Sequence, residues 1–337
     1  ITIGSGGTGV GQLFNGTKLP TSSTGSVSLG GLNIAIELSV QGRYVYAVQT
    51  GSSSINGYDF TNPSSPVATG GSYTPSAGSP RSIQVAGKYA YIGTTSGKLE
   101  IIDISNPASF SGVSTLSLTG VTQAESLVVQ GRYAFIADSG SAKIVVVDIG
   151  NPSTPVLVNT ITTVTAISTV GFNNMFISGS YLYVSEQNRL QIIDISNPLS
   201  PVIKSTRTVN TINVVVQGRY AYVADYTGNL NIFDIKDPSS TSAAVATYVM
   251  PSNNYWTWAV HGNYLYAGNG TIINVLDITN PISPSNVGSF NAADYQIVVQ
   301  GRYLYISGLS NIFVYDLGGS YLQNLEVGTG EFTSLTV

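Results

Sequence analysis

The sequence predicts an all-β protein, a seven-bladed β-propeller built of four-stranded antiparallel blades. Three observations carry this prediction. A glycine, a polar residue and a tyrosine recur together seven times, an aspartate follows each of these tyrosines by 13 to 15 residues, and short apolar runs alternate with turn-forming residues. A repeat of about 40–45 residues with about four strands in each unit is typical of propeller blades. No segment shows sustained helical periodicity.

One repeat is clearest at Glu125–Val158. Its apolar runs, Leu127–Val129, Tyr133–Ile136 and Ile144–Ile149, are rich in β-branched and aromatic residues, and a fourth begins at Val156. Turn residues separate these runs, which is the pattern of short antiparallel strands. A single four-stranded unit cannot bury both of its faces, so we expect it to stack on copies of itself.

Two sequence markers recur in phase along the chain. The first is the turn triplet: Gly42-Arg43-Tyr44, Gly87-Lys88-Tyr89, Gly131-Arg132-Tyr133, Gly179-Ser180-Tyr181, Gly218-Arg219-Tyr220, Gly262-Asn263-Tyr264 and Gly301-Arg302-Tyr303. The second is the repeat aspartate: Asp59, Asp103, Asp148, Asp194, Asp234, Asp277 and Asp316. Seven repeats of both markers predict seven blades.

The strings around the repeat aspartates resemble a known family. Ile101–Pro107 and Ile192–Pro198 both read Ile-Ile-Asp-Ile-Ser-Asn-Pro, which resembles the LVIVD repeat, a β-propeller repeat of prokaryotic and surface-associated proteins. The resemblance covers roughly Asn33 to Val327. The seventh repeat departs from it, because no Asn-Pro follows Asp316. Such a change fits a terminal blade.

Three segments are predicted along the chain. Residues 1–30 are a Gly/Ser/Thr-rich linker or fibre-like segment, 31–327 form the propeller, and 328–337 begin a second fibre-like or linker segment. Two ways of closing the ring stay open, with the outer strand of the last blade supplied by Tyr321–Val327 or by Gly25–Leu29. The terminal segments resemble the shafts of viral, phage or bacterial surface fibres, which implies a module of a larger fibre or surface protein.

The composition excludes several classes of site. The chain has 337 residues, a net charge of −4, no cysteine and one histidine, His261, which we interpret as a turn residue. Disulfides, thiolate metal sites and multi-histidine metal centres are therefore excluded, and we predict no cofactor and no metal. The charge gives no basic footprint for nucleic acid, and no run is long enough for membrane insertion. Because the chain starts at Ile1, we expect a fragment or processed product.

The repeat residues are interpreted as scaffold. Each repeat aspartate precedes a turn, where its carboxylate can accept backbone N–H bonds, and a basic residue begins the neighbouring strand in most repeats. These basic residues are Arg43, Lys88, Arg132, Arg219 and Arg302. The repeat tyrosines are expected to fill the wedges between blades.

The end of the propeller that carries irregular loops is the predicted binding face, because specificity is usually carried on variable loops held by a rigid scaffold. Strand order places the Gln-Gly turns and Asn-Pro loops at the opposite end. Asp138, Glu186 and Asp225 each lie five residues after a repeat tyrosine and are expected on the irregular end. They could form an acidic arc for glycoside hydrolysis, although a solvated face is the favoured interpretation.

Aromatic residues are the other candidates for ligand binding. Tyr255, Trp256 and Trp258 follow a loop between blades five and six, and Tyr226 and Tyr295 occupy comparable loops. If exposed, they could stack on sugar rings or anchor a protein partner. The alternative is packing between blades.

The predicted function is a non-catalytic recognition or adhesion module, extracellular or on a cell or virion surface, that binds a glycan or a protein through the variable loops. One alternative is a structural building block or spacer of a filament or particle. Another is a carbohydrate-active enzyme that uses the acidic arc of Asp138, Glu186 and Asp225.

Overall fold

The computed structural model describes residues 19–318 apart from 32, 140, 166–173, 252–255 and 294. In this part of the chain, 28 β-strands form seven four-stranded antiparallel sheets without any helix. No helix capable of crossing a membrane occurs among these residues. The predicted seven-bladed, all-β propeller is confirmed.

Each blade runs from an inner strand at the central channel to an outer strand at the rim. Blade one comprises β2 (Ala35–Gln41), β3 (Tyr44–Gln49), β4 (Ser54–Asp59) and β5 (Val67–Tyr73). Blade two comprises β6 (Pro80–Ala86), β7 (Tyr89–Thr94), β8 (Lys98–Asp103) and β9 (Ser111–Ser117). Blade three comprises β10 (Ala124–Gln130), β11 (Tyr133–Asp138), β12 (Lys143–Asp148) and β13 (Val156–Thr162). Blade four comprises β14 (Met175–Ser178), β15 (Tyr181–Glu186), β16 (Arg189–Asp194) and β17 (Val202–Thr208). Blade five comprises β18 (Asn213–Gln217), β19 (Tyr220–Ala224), β20 (Asn229–Asp234) and β21 (Ala246–Val249). Blade six comprises β22 (Thr257–His261), β23 (Tyr264–Gly268), β24 (Ile272–Asp277) and β25 (Ser285–Asn291).

The seventh blade closes the ring with a strand from the start of the chain. It comprises β26 (Gln296–Gln300), β27 (Tyr303–Ser307), β28 (Asn311–Asp316) and, as its outer strand, β1 (Gly25–Ser28). The predicted boundary at residue 30 is therefore wrong, because Gly25–Ser28 belongs to the propeller. The first of the two predicted closures, through Tyr321–Val327, falls on residues outside the described part of the chain.

A tight turn joins the first two strands of every blade. In blade three, Gln130 pairs with Tyr133, and the two residues between them form the turn. Gly131 has a φ of +58°. A positive φ at the first turn position is characteristic of a type II′ hairpin, which explains why glycine recurs there.

The hydrophobic core lies between blades as seven wedge-shaped clusters. Between blades one and two, for example, Tyr46, Val48 and Ile55 pack with Ile83 and Ile92, all nearly inaccessible to solvent. The repeat tyrosines are half-buried and pack against these clusters, as predicted. The aromatic residues two positions later are buried more deeply: Tyr46, Tyr91, Phe135, Tyr183, Tyr222, Tyr266 and Tyr305.

Candidate functional site

The propeller has two ends that differ in regularity. The Gly turns and the Asn-Pro loops lie together at what we call the regular end, where Ile149 N–H donates to the carbonyl of Arg132 at 2.8 Å in blade three. The turns between the second and third strands and the connections between blades lie at the opposite end, called the variable end. This division confirms the expectation from strand order.

The repeat aspartates belong to the scaffold of the regular end. The carboxylate of Asp148 accepts hydrogen bonds from Gly150 N–H at 2.9 Å and from Arg132 Nε at 3.1 Å. The bond from Arg132, helped by that from Gly150, lowers the pKa of Asp148. Six of the seven aspartates form an ion pair: Arg43–Asp59, Lys88–Asp103, Arg132–Asp148, Lys204–Asp194, Arg219–Asp234 and Arg302–Asp316.

Asp138, one of the three acids of the predicted arc, fixes a connection between blades. It is fully buried, and its carboxylate accepts hydrogen bonds from Thr122 N–H at 3.1 Å, Gln123 N–H at 3.0 Å and Ser141 Oγ at 2.6 Å. The expectation of a solvated carboxylate is therefore wrong for Asp138. The connecting loop uses its oxygens as acceptors for otherwise unpaired backbone donors.

Glu186 and Asp225 complete this set of acids. Glu186 is also fully buried, so the solvated interpretation is wrong there too, and it accepts bonds from Thr165 N–H at 2.8 Å and Thr165 Oγ1 at 2.7 Å. Burial raises the pKa of Glu186 despite these bonds. Asp225 is half-buried and caps its own turn. Burial alone would raise the pKa of Asp225, but bonds from Asn229, Thr227 and Asn231 outweigh it and lower the pKa.

The predicted aromatic pair is split by the structure. Trp256 is 36% exposed and precedes β22, with its N–H bonded to the carbonyl of Gly268 at 3.1 Å. Trp258 is only 1% exposed and packs between blades five and six with Tyr222 and Met250. Trp258 therefore cannot offer its ring to a partner on the surface, and the alternative of packing between blades applies to it.

The remaining aromatic candidates also differ in accessibility. Tyr226 lies in the turn between β19 and β20 and is 40% exposed, whereas Tyr295 is half-buried at the start of blade seven. Tyr255 lies outside the described residues. Val249, at the end of β21, is 74% exposed and pairs with Asn229 beside the turn of Tyr226. We call Tyr226, Val249 and Trp256 the apolar corner of the variable end.

Sequence reasoning missed a group of cations at the variable end. Lys98, Lys143 and Arg189 begin the third strands of blades two, three and four, so they occupy equivalent positions. All three are half-buried and have no carboxylate within ion-pair distance among the described residues. We call them the basic arc. They are more than 40 residues apart in sequence, so only the blade register could have revealed the group.

The inner strands carry a ring of seven polar side chains around the channel. Every one of its members is nearly inaccessible to solvent: Glu37, Ser82, Ser126, Asn174, Asn213, Thr257 and Gln296. Several of them bond to the inner strand of the next blade. Glu37 accepts from Ile83 N–H at 3.3 Å, Thr257 Oγ1 accepts from Ile297 N–H at 2.8 Å, and Gln296 accepts from Leu38 N–H. This polar ring links adjacent inner strands through side chains.

Below the polar ring, toward the regular end, the inner strands present a collar of seven β-branched aliphatic residues. Its members pair with the residue that follows each repeat tyrosine: Val40, Val85, Val129, Ile177, Val216, Val260 and Val299. The channel holds a cavity of about 340 Å³, lined among others by Glu37, Gln84, Val129, Phe176 and Val298. Within the described residues no group of three or more His, Cys, Asp or Glu side chains could hold a metal ion.

Solved structures with the same fold cover nearly the whole chain. BamB from Moraxella catarrhalis is 14% identical, with a TM-score of 0.59 over 91% of this chain and 99% of that one. A chain of a mitotic checkpoint complex is 12% identical, with a TM-score of 0.69 over 94% and 98%. Saccharomyces cerevisiae Sqt1 is 10% identical, with a TM-score of 0.66 over 88% and 99%. At these identities the likeness shows the fold alone.

A family model identifies the repeat itself, while no curated protein matches the chain. The model described as LVIVD repeat matches residues 77–116, 122–163, 173–209, 210–245 and 256–292. These segments correspond to blades two to six and make up more than half of the sequence. The protein therefore belongs to the family of LVIVD-repeat proteins.

Proposed function

We propose that the protein is a non-catalytic recognition module that binds a partner protein through the variable end. The observation that carries the proposal is the apolar corner, where Tyr226, Val249 and Trp256 are 40%, 74% and 36% exposed on adjoining blades. Aromatic side chains held on a rigid scaffold are the usual anchors of protein interfaces. The corner rests on two closed blades, so its residues are positioned before a partner arrives.

The basic arc supports a particular chemistry for the partner. Lys98, Lys143 and Arg189 offer positive charge on blades two to four, beside the apolar corner on blades five and six. A partner that presents acidic side chains next to an apolar patch would match both features. Charges at the rim of an interface chiefly set the association rate and its salt dependence.

Two observations support binding rather than catalysis. The carboxylates of Asp138 and Glu186 are buried and bonded to loop N–H groups, so they are poorly placed to attack or protonate a glycosidic bond. One propeller of similar fold belongs to a mitotic checkpoint complex, and that neighbour supports a protein partner. We include in the proposal that the module is displayed outside a cell or on a virion, within a larger fibre or surface protein.

The test compares two exposed apolar side chains at opposite ends. Trp256 lies at the variable end, and Ile282, 59% exposed, lies in an Asn-Pro loop of the regular end. The full chain is used to capture proteins from the producing organism and its host, and each purified candidate is titrated against the wild type, Trp256→Ala and Ile282→Ala. We expect Trp256→Ala to weaken binding by about 2 kcal/mol, and Ile282→Ala to leave it unchanged.

Other results would reject the proposal. Equal affinity of the wild type and Trp256→Ala, or loss of binding only in Ile282→Ala, would place the interface elsewhere. A glycan array probed with the same three proteins tests whether the ligand is a glycan instead of a protein. Specific glycan binding that depends on Trp256, without any protein partner, would show that the ligand of the variable end is a glycan and not a protein. Self-association through either end, seen by analytical ultracentrifugation, would favour the structural building block.

A further inference from the structure

The polar ring contains one ionisable member, Glu37. Glu37 is 9% exposed, lines the channel cavity of about 340 Å³, and accepts a hydrogen bond from Ile83 N–H. Gln296 occupies the equivalent position in blade seven and accepts the corresponding bond from Leu38 N–H with an amide oxygen. An amide therefore suffices to link the blades. The acid at position 37 is not required by the fold, and a carboxyl group buried in a channel wall is costly.

The charges around Glu37 leave it without a partner cation. Arg81, on β6, is the basic residue that acts on it, but its guanidinium is held by Glu125 on β10, with Nε to Oε2 at 2.9 Å and a second bond at 2.5 Å. No ion pair to Glu37 is formed among the described residues. Burial raises the pKa of Glu37 well above its usual value, and the charge of Glu125 adds to this, against the bond from Ile83 and the charge of Arg81.

The rest of the cavity wall is mixed in character. Val40, Val129, Ile177, Val298 and the ring of Phe176 line it, and Ser39, Gln84, Ser126 and Gln296 add polar groups. A volume of about 340 Å³ lies at the lower end of the range for small-molecule sites, roughly 300–1,000 Å³. An anion would meet the Glu37 carboxyl, and a purely apolar molecule would leave that carboxyl without a new partner. A cation on an aliphatic chain can place its charge on Glu37 and its chain against the apolar residues of the wall.

We propose that the channel is a binding site for a small primary alkylammonium ion, with the ammonium group on the Glu37 carboxylate and the alkyl chain along Val129, Ile177 and Val298. This site is separate from the apolar corner and does not depend on the proposed partner protein. Binding requires Glu37 to be ionised, so any proton that its carboxyl carries passes to the buffer as the ammonium group takes its place. The ammonium group keeps its own protons, and no other group changes its charge.

Three probes of equal chain length test the proposal by calorimetry: n-hexylammonium, n-hexanol and n-hexanoate. We expect the wild type to bind hexylammonium roughly tenfold or more tightly than hexanol, as for a charged hydrogen bond, and hexanoate most weakly. Glu37→Gln keeps the link to Ile83, as Gln296 shows for Leu38, and should reduce hexylammonium binding to the level of hexanol. Titrations in buffers of different ionisation enthalpy should show proton release with the wild type that grows as the pH is lowered toward 5, and none with Glu37→Gln.

A second variant tests the position of the alkyl chain. Val129→Phe narrows the cavity without touching Glu37, and should weaken both hexylammonium and hexanol. Equal binding of hexylammonium and hexanol by the wild type would overturn the proposal. The same conclusion follows if Glu37→Gln binds hexylammonium as well as the wild type, if Val129→Phe leaves all affinities unchanged, or if no probe binds at millimolar concentration. None of these results depends on whether a partner protein binds at the variable end.

Discussion

Glu37 and Gln296 are equivalent residues of neighbouring blades, and the side-chain oxygen of each accepts a hydrogen bond from the inner strand of the next blade. One is an acid and the other an amide, so the polar ring holds an ionisable and a non-ionisable hydrogen-bond acceptor at equivalent positions. The two differ in how they should respond to pH.

Glu37 should make the stability of the fold depend on pH above the ordinary glutamate range. Its pKa is higher in the folded than in the unfolded chain, so the folded state binds more protons, and the free energy of unfolding falls as the pH rises above about 4.5. Glu37→Gln should lack this fall, so its advantage in melting temperature over the wild type should grow between pH 5 and pH 8. Gln296→Glu should introduce a similar fall, whereas identical profiles for all three proteins would contradict the argument.

The two tryptophans should respond differently to truncation. Trp258 is 1% exposed between two blades, and Trp258→Ala should reduce the free energy of unfolding by about 3–5 kcal/mol. Trp256 is 36% exposed, and Trp256→Ala should cost well under half of that. Chemical denaturation of both variants checks this order. If Trp256→Ala destabilised the fold as much as Trp258→Ala, Trp256 would be a packing residue and the apolar corner would lose its anchor.

The repeat aspartates offer a matched pair for separating a turn bond from an ion pair. Asp148 accepts from Gly150 N–H and pairs with Arg132, whereas Asp277 accepts from Thr279 N–H at 2.8 Å and has Asn263 where Arg132 stands. Asp148→Ala should cost about 1 kcal/mol, since the pair is largely exposed and screened by solvent. Asp277→Ala should cost a few tenths of a kcal/mol less.

Salt provides the control for this comparison. In about 1 M salt the exposed ion pair is screened, so the costs of Asp148→Ala and Asp277→Ala should converge. A difference that persists in high salt would mean that packing around Arg132 matters more than its charge.

Acid should weaken the regular end. The bond from Arg219, with that from Lys236 N–H, lowers the pKa of Asp234 to about 2, from an ordinary value of 3.8. A carboxylate with a depressed folded pKa stabilises the fold above its unfolded pKa, and this contribution is lost as the pH falls from about 4 toward 2. Asp234→Asn should show a shallower loss of melting temperature over that window. Parallel curves for the variant and the wild type would show that Asp234 does not contribute.

The turn glycine of each blade should be replaceable only at a cost in backbone strain. A Cβ at Gly131 would meet no atom within 4 Å, but its φ of +58° disfavours residues with side chains. Gly131→Ala should cost about 1–2 kcal/mol, and Gly131→Asn less, because asparagine tolerates this region better. Urea unfolding of the two variants distinguishes this from a packing effect, which would make the larger asparagine the worse replacement.

The four-stranded arrangement of each blade could be predicted from the sequence because the residues that determine it lie within a single repeat. The turn glycine, the repeat aspartate and the apolar strands between them depend on interactions within one blade, such as that between Arg132 and Asp148. Repetition then gives the number of blades. The closure through Gly25–Ser28 could only be named as one of two options, because β1 lacks the repeat markers and pairs with a strand from the other end of the chain.

The site was less predictable, because its residues meet only through the ring. Asp138 looks like a surface acid in sequence, yet it is buried under a loop that begins 16 residues earlier at Thr122. Trp256 and Trp258 are two residues apart, but only Trp258 lies within the strand that packs on blade five. The polar ring and the basic arc are defined by register across blades, and their members are scattered along the sequence.

The pairing of β1 with β28 also has a consequence for how the chain is made. A ribosome synthesises Gly25–Ser28 before the first six blades and Asn311–Asp316 after them, so the rim strand of blade seven stays unpaired while six complete blades are made. Contacts so distant in sequence are the slowest to form, and we expect the docking of β1 to be the final step of folding. Nascent chains arrested before Asn311 should be cut by protease near Val27, and full-length chains should resist. Until Asn311–Asp316 has been synthesised, the molecule is an open arc with two unpaired strand edges, and it is exposed to misassembly for that whole time.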